Sequence, residues 1–231
     1  MSSKLNLKKL ATQVIIYCIG LLVLAFGVAF AINSNLGISP VNSVPFAVHL
    51  AGGINVGTAV TIFFLVLIAL QILILRRDFK LRDLTQIIFA TIFGFFVDLT
   101  VFILGDFVLP TYAGQLVMLA ISIVLIAIGV SVYLEAKLIS LPPEGILLAF
   151  IQKYPQYTFA RCKVVFDCGL VIIAVAITLI ALRGVYGVRE GTVISAIFLG
   201  KAIYYARKIV VYLLGKTPVY KIISNETSVP K

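Results

Sequence analysis

Charged side chains that interrupt long apolar runs are the residues of this sequence best suited to chemistry. Asp98 lies inside one such run, and Lys163 and Asp167 stand at the start of another. Their i, i+4 spacing places Lys163 and Asp167 on one helix face, where they can pair. A charge at the centre of a bilayer costs about 2.5–3.5 kcal/mol, so each of these groups needs a reason to be there. We predict roles in proton or cation coupling, or in balancing charge, for Asp98, Lys163, Asp167, Arg189, Glu190 and Thr192.

Structural roles are the alternative at some of these positions. Lys163 can extend its ammonium group to the membrane interface, and Glu190 can act as an acid in the first turn of a helix. Asp98 and Asp167 fit such roles less well, because a short carboxylate side chain reaches the interface poorly. A coupling role is therefore favoured for these two aspartates.

Two proline-led segments between apolar runs are the other candidate site. Ser39-Pro40 and Pro142 have the residue types of a helix start, and the helices that follow, of about ten residues, are too short to span a bilayer. We predict re-entrant or broken helices whose starts line a cavity. The alternative is a pair of interfacial helices lying on the surface, with Glu144 complementing its own helix dipole. The predicted solute-binding residues are Pro40, Asn42, Ser43, Pro142, Glu144 and Gly145.

The sequence lacks the motifs of an intramembrane enzyme. It has no HExxH, GxSxG or P-loop motif and no Cys/His cluster, and its three cysteines are scattered. We therefore expect no enzymatic activity, no catalytic residues, no metal and no cofactor.

The elements that carry these residues are predicted to be membrane-spanning helices. Apolar residues make up 61% of the chain and charged residues only 12%, and the mean hydropathy is +1.14. The first run is longer than the apolar region of a signal peptide, about 7–15 residues, so we expect it to be retained. We predict an all-α polytopic protein, in contact with the lipid bilayer, with six spans at 10–32, 55–75, 84–104, 114–134, 164–182 and 191–214.

The distribution of basic residues predicts the orientation of these spans. The net charge is +10, but the Lys and Arg residues form short clusters that fall on one side when six spans are drawn. The opposite side carries only Arg183 and Arg189. This pattern is typical of cytoplasmic loops rather than of a nucleic-acid-binding surface. We expect both termini in the cytoplasm, a cytoplasmic tail at 215–231 and no binding of nucleic acid.

The chain also resembles itself at a shift of 102 residues. Gly27-Val28 then falls on Gly129-Val130, Pro40 falls on Pro142 and Asn42 falls on Glu144. We predict one membrane domain, 1–231, built from a first repeat at 10–104 and a second at 114–214. Each repeat has three spans, an odd number, so the second must be inverted relative to the first.

The chain resembles the YczE/YyaS/YitT group of bacterial membrane proteins over residues 10–215, and the YczE-like members most closely. The matching stretches are 36–40, 142–145, Lys163 with Asp167, and 187–192 with Gly200. Many relatives have Pro-Trp-Asp where this chain has Pro40-Val41-Asn42. The resemblance implies a multi-span protein of the bacterial cytoplasmic (inner) membrane and says little about its chemistry.

These features together favour a small secondary transporter of a small polar or anionic solute. The alternative is a non-transporting membrane partner or regulatory subunit of another complex. It would bind its neighbour through the basic cytoplasmic loops and through the small-residue helix faces at Ala90 with Gly94 and at Ala196 with Gly200. Six spans are few for an enclosed path, which favours a homodimer.

Overall fold

The protein is built from eight α-helices in the part of the chain that the structure describes. The computed structural model describes the backbone of residues 2–215 and the side chains of residue 7 and residues 9–215. No strand occurs within these residues. The predicted tail at 215–231 lies outside them except for its first residue. The helices are α1 Ser2–Asn33, α2 Pro40–Gly52, α3 Val56–Leu75, α4 Thr85–Leu104, α5 Tyr112–Glu135, α6 Pro142–Lys153, α7 Phe159–Leu182 and α8 Glu190–Gly215.

Five of these helices are long and apolar enough to cross a membrane: α1, α3, α4, α5 and α7. This confirms the prediction of an all-α polytopic membrane protein. α8 has 26 residues, but Lys201, Arg207 and Lys208 interrupt its apolar sequence. Its crossing, the sixth in the predicted count, stays a prediction.

Close packing of α1 against α5 forms the centre of the fold. A Cβ atom added at Gly27 would lie 2.8 Å from the backbone N of Ile126, and one added at Gly129 would lie 2.5 Å from that of Leu24. Small residues allow this approach, which in lipid supplies the van der Waals contact that holds helices together. Tyr17 and Tyr133, both fully buried, pack against each other with ring centroids 5.4 Å apart.

The pair α3 and α4 is packed even more tightly. A Cβ atom added at Gly57 would lie 1.8 Å from the carbonyl oxygen of Gly94. The carboxylate of Asp98 accepts a hydrogen bond from the backbone N–H of Gly57 at 2.6 Å, which satisfies one of the unpaired donors in the first turn of α3. No comparable pairing joins α7 to α8 within the described residues, and Gly200 of α8 has open space where its Cβ would be.

The short helices α2 and α6 start where the sequence predicts. The residues before them, Ser39 and Leu141, are extended, with ψ of 149° and 157°, and each helix begins with proline. Proline suits this position because its missing N–H would have no partner there. α2 packs mainly against α7 and α6 packs mainly against α3, so each short helix is held by a long helix from the other half of the chain.

Candidate functional site

A cavity of about 190 Å³ lies between the starts of α2 and α6. We call it the central cavity. Its wall also includes residues from α1, α3, α4, α5, α7 and α8, among them Phe64, Phe93 and Ser195. Larger cavities exist, such as one of about 480 Å³ beside Phe150 and Phe166 and one of about 440 Å³ beside Gln71 and Gln86, but neither is lined by a buried polar atom that lacks a hydrogen-bond partner. We therefore take the central cavity as the candidate site because of the polar groups in its wall and not because of its volume.

The structure brings five of the predicted site residues together in the wall of this cavity. They come from the start of α2, the start of α6 and the first turns of α7: Pro40, Asn42, Glu144, Lys163 and Asp167. Members of both sets that the sequence separates, solute-binding and charged, therefore line one cavity.

Glu144 is the principal polar group of the central cavity. It lies in the first turn of α6, where the free N–H groups of the helix start favour a carboxylate. Its Oε2 atom is buried and has no hydrogen-bond partner. The carboxylate lies within electrostatic range of both Lys163 and Asp167. A buried carboxylate oxygen that lacks a partner costs free energy, so a site of this kind gains by binding a donor.

Two tyrosines lie beside Glu144 and were not singled out from the sequence. Tyr133 lines the central cavity, and its ring centroid is 5.4 Å from that of Tyr17. The hydroxyl oxygens of both are buried and make no hydrogen bond of good geometry, and the Tyr133 hydroxyl lies close enough to the Glu144 carboxylate to interact with it. Together with Glu144 Oε2, they are the three buried side-chain polar atoms without a partner among the described residues. A polar tip within an apolar run is the signal that could have found them.

Lys163 and Asp167 form the ion pair that their spacing predicts. Lys163 Nζ lies 2.5 Å from Asp167 Oδ1, and the two side chains are 35% and 19% exposed. The pairing is confirmed, and because each charge is met by the other, the pair adds no net charge to the cavity. The coupling role assigned to these residues stays a prediction.

The start of α2 is held by its own side chains. Asn42 Nδ2 donates a hydrogen bond to Ser39 Oγ at 3.0 Å, and Ser43 Oγ donates one to the carbonyl of Pro40 at 2.6 Å. Ser43 is 2% exposed and does not line the cavity. Its hydroxyl therefore stabilises the turn that presents Asn42.

A pair of buried glutamines holds the start of α6. Gln71 Nε2 donates hydrogen bonds to Gln86 Oε1 at 3.2 Å and to the carbonyl of Pro142 at 3.3 Å. A Cβ atom added at Gly145 would lie 2.8 Å from Gln71 Oε1. Pro142 and Gly145 therefore face α3 rather than the cavity. Because Glu144 stands between them in the sequence, their contacts with α3 fix its position.

The remaining predicted residues lie away from the central cavity. Asp98 caps α3, as described above. Arg189 and Glu190 form an exposed ion pair at 3.1 Å, and the Glu190 backbone N–H together with the Arg189 guanidinium holds the pKa of the Glu190 carboxyl below its usual range. Thr192 is buried, and its hydroxyl accepts a hydrogen bond from the backbone N–H of Arg189 at 3.4 Å. These contacts order the start of α8.

One further buried acid was missed from the sequence. Glu135, at the end of α5, is 4% exposed and accepts a hydrogen bond from Arg207 Nε at 3.0 Å. Glu135 lies just beyond an apolar run, where a charge is ordinary, and its pairing with Arg207 depends on how α5 meets α8, so it has no local signal in the sequence.

A helical chain with five apolar helices long enough to cross a bilayer is a polytopic membrane protein. The chain belongs to a family of unknown function, DUF6198, whose model matches residues 11–208. It is similar to the uncharacterized membrane protein YczE of Bacillus subtilis, with 31% identity over 138 residues, which are 59% of this chain and 62% of that protein. It is also similar to the uncharacterized protein YyaS of the same organism, with 29% identity over 133 residues, 57% of this chain and 65% of that protein.

These matches confirm the resemblance to YczE-like membrane proteins and a location in the membrane. The matched part of the chain spans less than two thirds of either relative. No solved structure matches the chain.

Proposed function

We propose that this protein is a small secondary transporter and that the central cavity is its solute site. The observation that carries the proposal is the convergence of two helix starts, one from each half of the chain, on a cavity that holds the Glu144 carboxylate, whose buried Oε2 atom has no hydrogen-bond partner. Helix starts at a repeat interface are a recurrent way for transporters to bind small solutes.

The proposal includes two inverted repeats, and matched backbone contacts support them. The contact of Gly27 with Ile126 has a counterpart in the contact of Gly129 with Leu24. Gly27 and Gly129 are 102 residues apart, and so are Leu24 and Ile126, so exchanging the two halves converts one contact into the other. A two-fold axis between α1 and α5 requires this relation. A second match is the backbone of Asn35 and Lys137, which are 102 residues apart. Both adopt the left-handed backbone conformation that residues other than glycine rarely take, with φ of 56° and 53°.

Matched side-chain contacts between the halves support the same symmetry. Arg82, just before α4, donates a hydrogen bond to the carbonyl of Leu138 at 3.3 Å. Arg189, just before α8, donates one to the carbonyl of Asn35 at 2.9 Å. In each case an arginine of one half holds the loop after the first long helix of the other half.

We also propose that α8 is the sixth span, with both termini in the cytoplasm of a bacterial cell. The charges of α8 have partners that reduce the cost of burying them in lipid: Arg207 pairs with Glu135, and the Lys208 ammonium lies 4.3 Å from the ring centroid of Tyr204. Six spans place all the Lys and Arg clusters except Arg183 and Arg189 on one side.

The two halves differ in one respect that suits alternating access. Helices α3 and α4 are in tight contact at Gly57 and Gly94, whereas α7 and α8 leave Gly200 open toward the central cavity. In the proposed cycle, the halves exchange these arrangements, so that α7 closes on α8 while α4 separates from α3. Exchange of this kind moves the access to a fixed site from one membrane face to the other.

Transport by the purified protein in proteoliposomes tests the proposal. We expect counterflow of at least one member of a panel of labelled small amines, amino acids, carboxylates and sulfonates. Glu144→Gln and Asp167→Asn should each reduce the rate about tenfold or more, because each removes a charge at the cavity wall. Asp106→Asn, which changes an exposed loop carboxylate, is the matched control and should transport at the normal rate.

Two results would overturn parts of this proposal. Unchanged transport in Glu144→Gln and Asp167→Asn would show that the central cavity is not the solute site. Absence of counterflow across the whole panel, together with a protein that co-purifies in stoichiometric amount, would favour the non-transporting partner subunit instead.

A further inference from the structure

The charges in the wall of the central cavity indicate the class of solute. Three charged side chains of the described chain line it: Glu144, Lys163 and Asp167. Lys163 is already paired with Asp167, so the three side chains together carry one net negative charge. The start of α2 contributes only a fractional positive charge, about half of one charge, and the start of α6 is faced by Glu144 itself.

The unpartnered atoms in the wall are oxygens that can accept hydrogen bonds. Glu144 Oε2 and the Tyr133 hydroxyl belong to the cavity wall, and the Tyr17 hydroxyl lies behind Tyr133. Phe64 and Phe93, whose rings stack at 5.7 Å, provide an apolar wall on another side. A primary ammonium group on an apolar body offers three N–H donors, a positive charge and a surface for aromatic contact.

We infer that the central cavity binds a small organic cation with a primary ammonium group, with Glu144 as its counter-ion. This inference rests on the proposed function, deepens it by naming the solute class, and reverses the sign of the anionic solute that the helix starts alone suggested. The cavity of about 190 Å³ limits the solute to a size below that of most drug-like ligands.

The same oxygen of Glu144 is the place where a proton would bind when the solute is absent. When an ammonium ion enters, the carboxylic acid releases its proton and the carboxylate accepts a hydrogen bond from nitrogen, so one cation replaces one proton. Cation and proton then compete for one site. The other ionisable groups facing Glu144 are Tyr17 from α1, Tyr133 from α5, and Lys163 and Asp167 from α7. Lys163 and Asp167 are paired with each other, which leaves Glu144 as the group that exchanges.

Equilibrium binding to the purified full-length protein tests this inference without any need for transport. The probes are phenethylammonium, 2-phenylethanol and phenylacetate, which match in shape and differ in charge. Isothermal titration at neutral pH should show phenethylammonium binding about tenfold or more tightly than the other two, as a charge-assisted hydrogen bond provides. Its affinity should fall as the pH is lowered. Binding should also release protons, so the measured binding enthalpy should depend on the ionisation enthalpy of the buffer.

Variants separate the role of Glu144 from a general loss of structure. Glu144→Gln should weaken phenethylammonium about tenfold or more and remove the pH dependence, whereas Asp106→Asn should change neither. Tyr133→Phe removes one oxygen and keeps the ring, so it should weaken binding less and keep the pH dependence. If Glu144→Gln fails to fold, the pH dependence and charge selectivity of the unmodified protein decide the question.

The possible outcomes distinguish this inference from the proposed function. Preference for phenylacetate, equal binding of the three probes, or no binding of phenethylammonium would overturn the cationic solute while leaving a transporter of another solute class. Selective binding of phenethylammonium with no flux of it in proteoliposomes would support the site and contradict the transport proposal.

Discussion

At the scale of single residues, the candidate site depends on which polar atoms already have partners. The carboxylates of Asp98 and Glu144 both lie among apolar helices, but Asp98 accepts a hydrogen bond from Gly57 whereas Glu144 Oε2 accepts none. A buried polar group that has its hydrogen bonds stabilises the fold, whereas one that lacks a hydrogen bond lowers its free energy by binding a ligand that supplies it. This difference favours Glu144 as the functional acid and Asp98 as a structural one.

Substitutions at Asp98 test that division of roles. Asp98→Ala removes the acceptor and should lower the free energy of unfolding by about 1–3 kcal/mol, seen as a lower melting temperature. Asp98→Asn keeps an oxygen that can accept the Gly57 N–H, so it should retain most of the stability and transport normally. Loss of transport in a stable Asp98→Asn protein would instead support the coupling role that the sequence predicts for this residue.

At the scale of the elements, much of the site could be predicted from sequence because its signals are local. Proline after an extended residue marks the starts of α2 and α6, and the i, i+4 spacing of Lys163 and Asp167 requires only that α7 be a helix. The pairing of Gln71 with Gln86 could not be predicted, since it depends on how α3 meets α4.

The lack of close contact between α7 and α8 could not be predicted from the local sequence either. The Ala-x-x-x-Gly spacing is the same at Ala90 with Gly94 and at Ala196 with Gly200, and it predicts close helix contact at both. The structure shows such contact at Gly94 only, while Ala196 and Gly200 line the central cavity. Sequence spacing identifies a helix face that can pack closely, and the tertiary structure decides whether it does.

Glycine substitutions in the two helix pairs test the proposed exchange of arrangements. Gly57→Ala places a Cβ atom 1.8 Å from the Gly94 carbonyl oxygen, so it should destabilise the protein by about 1–3 kcal/mol through overpacking. A Cβ atom added at Gly200 meets no atom within 4 Å, so Gly200→Leu should leave the melting temperature nearly unchanged. If α7 must close on α8 during the cycle, the same variant should reduce the transport rate at least several-fold.

The matched control for this pair is Gly169→Leu in α7, another glycine with open space around its Cβ position. It lies outside the wall of the central cavity, and we expect normal stability and transport. Normal transport by Gly200→Leu would argue against closure of α7 on α8.

At the scale of the whole molecule, the proposed path for solute requires two halves with opposite orientation. Helices α2 and α6 can present their starts to one cavity because each is anchored on a long helix of the other half. The matched contacts at Gly27 and Gly129, and the matched left-handed residues Asn35 and Lys137, are what an inverted repeat would produce. The sequence identities between the halves are few, so the backbone gives stronger support for the proposed symmetry than the sequence does.

The most direct measurement is the sidedness of the loops that follow α2 and α6. In a variant with the native cysteines replaced, Asn55→Cys and Gln156→Cys each place one thiol at an exposed position. A membrane-impermeant maleimide added to intact cells should label the cysteine at position 55, whereas the one at position 156 should react only after the membrane is opened. Labelling of both thiols from the same side would contradict the inverted arrangement and, with it, the shared cavity as a path for solute.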